Sequence, residues 1–80
     1  MNYFEFYELP VSFDLDAERL RKIFYANSRK YHPDFYTQDS AEAQAEALER
    51  STLNNEAYKT LSNADLRMRY VLQLYAALPE

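Results

Sequence analysis

The sequence predicts an all-α fold, and three features support this assignment. The 80-residue chain contains no glycine and is rich in alanine, leucine, glutamate and arginine, which favour helices. Its apolar residues recur at helical spacing, and proline and capping residues divide them into separate segments. We therefore expect one small domain with a short N-terminal helix, a long antiparallel helical hairpin and a C-terminal helix.

The composition limits how this domain can be stabilised and what it can do. It has no cysteine and only one histidine, so we expect no metal site and no cofactor. Eight tyrosines and five phenylalanines supply apolar surface for a core. The absence of glycine argues against a glycine-rich phosphate loop. Because no signal peptide or long apolar run is present, we expect a cytoplasmic protein without a membrane partner.

The first helix is predicted within residues 2–10, as one or two turns that end before Pro10. Asp14 or Asp16 then caps a second helix over about 16–31. The inward face of this helix is formed by Leu20, Phe24, Asn27 and Tyr31, with Ile23 at its border.

Asn27 is the one polar residue on this inward face. An unpaired buried amide would cost about 1–3 kcal/mol. We therefore expect Asn27 to form a hydrogen bond across the helix pair, with Asn54 or Asn55 as its partner.

The second helix must end near Tyr31 or His32, because Pro33 disfavours helical geometry before it and lacks an N–H. Residues 33–39 are predicted to be a loop. A capped third helix follows over about 41–61, and its inward face includes Ala57, Tyr58 and Leu61. A fourth helix is predicted over about 64–77. Its apolar face is formed by Leu66, Tyr70, Leu74 and Leu78, and Pro79 marks its end.

Charge is distributed unevenly along the chain, whose net charge is −4. Five basic residues fall within residues 19–31, which contain no acid, and we call them the basic stripe: Arg19, Arg21, Lys22, Arg29 and Lys30. All but Arg21 cluster on a helix face roughly 130° from the apolar one. The stripe predicts an acidic protein partner, although a solvated helix face is an alternative. The acidic remainder of the chain argues against nucleic-acid binding.

The tripeptide His32-Pro33-Asp34, hereafter the triplet, directly follows the basic helix and contains the only histidine. Alone, it could simply stop a helix. In this context the chain resembles the J domain of DnaJ-type co-chaperones over nearly its whole length. The resemblance is carried by Tyr3-Phe4, Leu9-Pro10, Leu20-Arg21-Lys22, Lys30-Tyr31 with the triplet, and Glu56-Ala57-Tyr58 with Leu61.

The second half is similar, more narrowly, to HscB, a co-chaperone of iron–sulfur cluster assembly. This similarity is carried by Asn55-x-Ala57-Tyr58-x-Thr60-Leu61 and Arg67-x-x-Tyr70-Val71-Leu72-x-Leu74. It implies that residues 1–80 are a single J domain. It also implies that the C-terminal client-binding domain of HscB-like proteins, which binds the iron–sulfur scaffold protein, is absent from this chain.

The resemblance implies a protein that is not an enzyme and has no catalytic residue. The triplet and the basic stripe would dock on a heat-shock protein 70 chaperone of the HscA or DnaK type and stimulate its ATP hydrolysis. Phe35 and Tyr36 are candidate contacts, but packing over the loop is the favoured interpretation for both. Two departures reduce the charge of the surface: Phe35 and the pair Tyr25-Ala26 stand where the family often has basic residues.

Several alternatives remain open at this point. The chain could be a general DnaJ-like folding co-chaperone, or a degenerate J-like adaptor that does not stimulate ATP hydrolysis. An enzyme with His32 and Asp34 as an acid–base pair is disfavoured, because the chain offers few other reactive residue types.

Overall fold

The computed structural model describes residues 1–77, and within that range it contains four α-helices and no strand. Their bounds are Tyr3–Phe6 for α1, Ala17–Lys30 for α2, Ala41–Leu61 for α3 and Ala64–Ala76 for α4. The long helices α2 and α3 pack against each other as the predicted hairpin, and α1 and α4 both pack on α3. The all-α prediction is confirmed: α2, α3 and α4 lie within one residue of their expected bounds, and α1 is a single turn inside the predicted range.

Side-chain caps set the start of every helix. The caps are Asn2 for α1, Asp16 for α2, Ser40 for α3 and Asn63 for α4. Of the two candidates for α2, Asp16 accepts a hydrogen bond from the Glu18 N–H at 3.2 Å, whereas Asp14 lies in the preceding connector. The caps accept hydrogen bonds from N–H groups that have no partner inside the helix, so each helix has a defined start.

The connection after α1 places one residue under backbone strain. Glu8 has a φ of 57°, the only positive φ of a non-glycine residue among residues 1–77. This conformation lets the N–H groups of Glu8 and Leu9 bond back to the carbonyls of Glu5 and Phe4, at 3.0 and 2.9 Å. These bonds close α1 and turn the chain towards α2.

The core lies where all four helices meet. Its fully buried side chains are Phe4, Leu20, Ala57, Leu61 and Val71. Val71 was not among the residues expected to face inward on α4. The predicted series Leu66, Tyr70 and Leu74 is only half-buried, because Val71 occupies the centre of the face towards α3. The predicted positions Leu78 and Pro79 lie outside the described residues.

The predicted loop over 33–39 is partly ordered into secondary structure, since Pro33–Tyr36 forms a short 3₁₀ turn. Proline fits the first position of such a turn because its φ is already fixed and its missing N–H has no role there. The Phe35 N–H donates to the His32 carbonyl at 3.0 Å and closes the turn.

Asn54 on α3 is buried, with 1% of its surface exposed, and among the described residues it is the one buried polar residue besides Tyr7 with its hydroxyl. The Tyr7 hydroxyl donates to Asn54 Oδ1 at 2.9 Å. Asn54 Nδ2 donates to the Phe24 carbonyl at 3.1 Å and to Ser28 Oγ at 3.2 Å. Asn27 Nδ2 also donates to Asn54 Oδ1, at 3.4 Å, which confirms the hydrogen bond predicted for Asn27. A single amide thus joins α2, α3 and the residue that follows α1.

We predict that Asn54→Ala lowers the free energy of unfolding by about 2–4 kcal/mol, because it leaves the buried Tyr7 hydroxyl and its neighbours without partners. Asn55→Ala is the matched control, since Asn55 is the next residue on α3 and is exposed. It should change stability by less than about 0.5 kcal/mol. Urea denaturation followed by circular dichroism measures both, and equal losses in the two variants would contradict the role of Asn54.

We predict that the protein loses stability at alkaline pH through Tyr7. Burial raises the pKa of the Tyr7 phenol above its ordinary value of 10.0, and nearby Tyr58 raises it further. The unfolded chain therefore ionises first, so this contribution is complete below about pH 10 and is lost as the pH rises beyond it. Urea denaturation between about pH 7 and pH 11 should show a shallower alkaline loss in Tyr7→Phe than in the wild type. Tyr75→Phe, at an exposed position, should keep the wild-type pH dependence.

Candidate functional site

The triplet lies between α2 and α3, at the end of the hairpin, and all three of its side chains are exposed. His32 Nδ1 accepts a hydrogen bond from the Asp34 N–H at 3.2 Å, so His32 caps the 3₁₀ turn as the other caps begin the helices. The tautomer that fits this hydrogen bond is the one with its proton on Nε2, because a nitrogen that accepts carries no proton. The imidazole thus offers an Nε2–H donor while its other nitrogen shapes the loop.

The His32 and Asp34 side chains lie close together without forming a buried pair. Their Nδ1 and Oδ2 atoms are 3.7 Å apart, and the side chains are 54% and 85% exposed. Acid–base residues of enzymes usually lie in a concave and partly buried pocket, whereas these two side chains are largely exposed. The geometry instead suits direct contact with another molecule.

The loop that carries the triplet is tied to both long helices, by its own Tyr36 to α2 and by Gln44 of α3. The Tyr36 hydroxyl donates to the Lys30 carbonyl, at the end of α2, at 2.8 Å. Gln44 Nε2 donates to the Asp39 carbonyl at 3.1 Å and to the Thr37 carbonyl at 3.4 Å. Tyr36 therefore packs over the loop as predicted, and the loop is anchored at both ends.

Phe35 does not pack over the loop, and the prediction that it does so is wrong. Its side chain is 72% exposed, and its ring meets the His32 ring edge-on, with centroids 6.2 Å apart. Successive side chains of a 3₁₀ turn point about 120° apart. Because Tyr36 turns towards α2, its neighbour Phe35 is directed into solvent.

All five residues of the basic stripe are exposed. None of them forms an ion pair with an acidic side chain within residues 1–77. Arg29 and Lys30 lie in the last turn of α2, where the helix dipole favours positive charge. Tyr25, one of the two residues of the uncharged pair, is 57% exposed and stands one turn from Arg21 and Arg29. The stripe therefore presents charge without an acidic partner along α2, and its end at Arg29 and Lys30 adjoins the triplet.

The described part of the chain shows neither a cluster of metal ligands nor a membrane-spanning helix. Residues 1–77 contain no group of three or more histidine, cysteine, aspartate or glutamate side chains that could hold a metal ion. No helix in this range is both long and apolar enough to cross a membrane.

An exposed, side-chain-capped triplet beside an unpaired basic helix face is the arrangement expected of a J domain. The family model described as DnaJ domain matches residues 3–70. The chain belongs to the DnaJ domain family. An HscB co-chaperone homologue from Psychromonas ingrahamii is 39% identical over 74 residues, which are 92% of this J-domain chain and 44% of that protein. A homologue from Vibrio cholerae is 36% identical over 92% of the chain and 43% of its own length.

Solved structures agree with this assignment and confirm the J-domain fold. The chaperone HscB from Vibrio cholerae superimposes with a TM-score of 0.90 at 34% identity, over all of this chain and 49% of that one. Human co-chaperone protein HscB gives a TM-score of 0.89 at 34% identity, over 41% of its length. The J-domain chain thus spans less than half the length of the relatives it matches.

We predict that Tyr36→Phe loosens the loop of the J domain while leaving its fold intact. The variant loses the hydrogen bond to the Lys30 carbonyl, worth about 1 kcal/mol, so amides of residues 34–37 should exchange up to about fivefold faster. Amide exchange followed by NMR measures this. Tyr25→Phe removes an exposed hydroxyl from α2 and should leave the exchange unchanged; equal rates in both variants and the wild type would contradict the anchoring role of Tyr36.

Proposed function

We propose that this chain is a co-chaperone J domain that docks on a heat-shock protein 70 chaperone of the HscA or DnaK type and stimulates its ATP hydrolysis. It acts by binding and catalyses no reaction itself. The observation that carries this proposal is the ordered, exposed turn of the triplet beside an unpaired basic stripe, in a chain of the DnaJ domain family.

Each part of the surface has a distinct task in the proposed docking. The basic stripe speeds and orients the encounter with an acidic surface of the chaperone. Asp34 accepts charge-assisted hydrogen bonds from an arginine of the chaperone, and His32 donates through Nε2–H. Pro33 and the anchored loop reduce the entropy lost on binding. Stimulation follows if the chaperone state that binds this surface is the one that hydrolyses ATP.

The HscB relatives direct the proposal towards maturation of iron–sulfur proteins. We propose that residues 1–80 act as a single J domain in the cytoplasm. Binding to the iron–sulfur scaffold protein would need the part of the HscB relatives that this chain does not align with. A general DnaJ-like folding co-chaperone, and an adaptor without stimulation, are the outcomes that would replace this proposal.

The sharpest test separates the shape of the loop from the contact made by His32. In His32→Asn the side-chain oxygen can still cap the turn, because asparagine is a good capping residue, but nothing reaches the position of Nε2. We expect stimulation of ATP hydrolysis by a heat-shock protein 70 from the same cell to fall at least tenfold, with the amide NMR shift of Asp34 little changed.

Charge is tested with a matched pair of variants. Arg29→Gln removes a charge from the basic stripe, and Lys59→Gln removes one from an exposed position on α3. Only Arg29→Gln should raise the concentration needed for half-maximal stimulation, and its effect should shrink as salt is added. Binding without stimulation by the wild type would favour the adaptor, and no binding to any such chaperone would refute the proposal.

A further inference from the structure

We propose that Phe35 is an apolar anchor that determines which heat-shock protein 70 chaperone this J domain binds. This inference rests on the proposed function and names a further residue of the same surface. The chaperone it fits carries an apolar pocket directly beside the group that binds Asp34, within an otherwise acidic surface.

The Phe35 ring takes no part in the core, and its aromatic contact in the described residues is the edge-on one with His32. It is 72% exposed, whereas Phe4 is completely buried in the core. Removing such a ring from water is favourable in proportion to its apolar area, at roughly 25 cal/mol per Å². That stabilisation is not realised in the free domain, so it is available to a bound partner.

The backbone around Phe35 is already fixed in the free domain. The Phe35 N–H bonds to the His32 carbonyl at 3.0 Å. The preceding residue is held by the hydrogen bond between the Asp34 N–H and His32 Nδ1, and the following one by the bond from Tyr36 to Lys30. Only the two side-chain torsions of Phe35 remain to be ordered on binding, which makes an exposed aromatic ring an efficient anchor.

The surroundings of Phe35 match those of a binding hot spot. The exposed aromatic ring stands beside polar residues: it meets the His32 ring edge-on, and Asp34 directly precedes it. Residues that dominate binding are typically aromatic and ringed by polar contacts that exclude water. The charged contacts of the basic stripe and an apolar contact of Phe35 differ in their response to salt. Salt weakens the first kind of contact but not the second.

The experiment measures binding of the ATP-bound chaperone to the whole chain at about 0.05 M and about 0.5 M salt. Phe35→Ala should weaken binding about tenfold at both salt concentrations. Phe35→Lys should also weaken binding at high salt but recover part of it at low salt, where the added charge is attracted to the acidic surface. Phe13→Ala is the matched control, because Phe13 is 49% exposed and precedes α2, which separates it from the loop by about 20 Å.

The outcomes distinguish this inference from the proposed function. If the wild type stimulates the chaperone but Phe35→Ala binds as tightly as Phe13→Ala, the anchor is refuted and the J-domain function stands. A loss in Phe35→Ala that disappears at high salt also refutes an apolar contact. If the wild type neither binds nor stimulates any heat-shock protein 70 from its own cell, both fail. Chaperone choice is supported when Phe35→Lys binds a second chaperone of that cell relatively better than the wild type does.

Discussion

The side-chain amide of Asn54 is the interaction on which the rest of the structure depends. It is buried, and it joins the hairpin helices α2 and α3 to Tyr7 at the end of α1. Aromatic and aliphatic contacts can slide past one another at little cost, whereas a buried hydrogen bond cannot be shifted without leaving a group unpaired. Asn54 therefore fixes the register of the two long helices.

The residues that set this register lie close to the proposed binding surface on α2. Asn27 and Ser28, which bond to Asn54, precede Lys30 by less than one turn of α2. The Lys30 carbonyl in turn receives the Tyr36 hydroxyl, and Gln44 on α3 holds the far end of the loop. The position of the triplet is thus defined by two helices whose alignment is set within one turn of the loop on α2 and within three turns on α3.

The inward face of α2 stabilises the fold, and its outward face belongs to the proposed chaperone-binding surface. Its inward face packs aromatic rings, with Phe24 stacked on Tyr58 at 4.4 Å and Tyr31 against Phe6 at 6.1 Å. Its outward face carries the basic stripe. Since Arg19, Lys22 and Arg29 are exposed on a face well away from the apolar one, their charge can be changed with little effect on this packing. A positive face also remains effective on a chain whose net charge is −4, because screening limits each charge to its neighbourhood.

The sequence alone predicted the helices well, because proline and capping side chains mark their ends locally. It also predicted the partner of Asn27 as one of two adjacent asparagines, but the weak pattern of alanine-rich α3 could not decide between Asn54 and Asn55. Val71 was missed because several apolar residues of α4 compete for one inward position. The orientation of Phe35 depends on the 3₁₀ turn, which arises from the His32 cap and from Tyr36 bonding to a helix end. Such tertiary contacts leave no periodic trace in the sequence.

The single strained residue, Glu8, has a wider consequence for how this surface can diverge. Because no other described residue has a positive φ, the backbone of the loop over 33–39 has no position that only glycine could occupy without strain. Outside the anchoring side chains, its positions can therefore exchange one chemistry for another at little conformational cost. A change of residue there alters the chemistry of the proposed binding surface while the helices around it keep their packing.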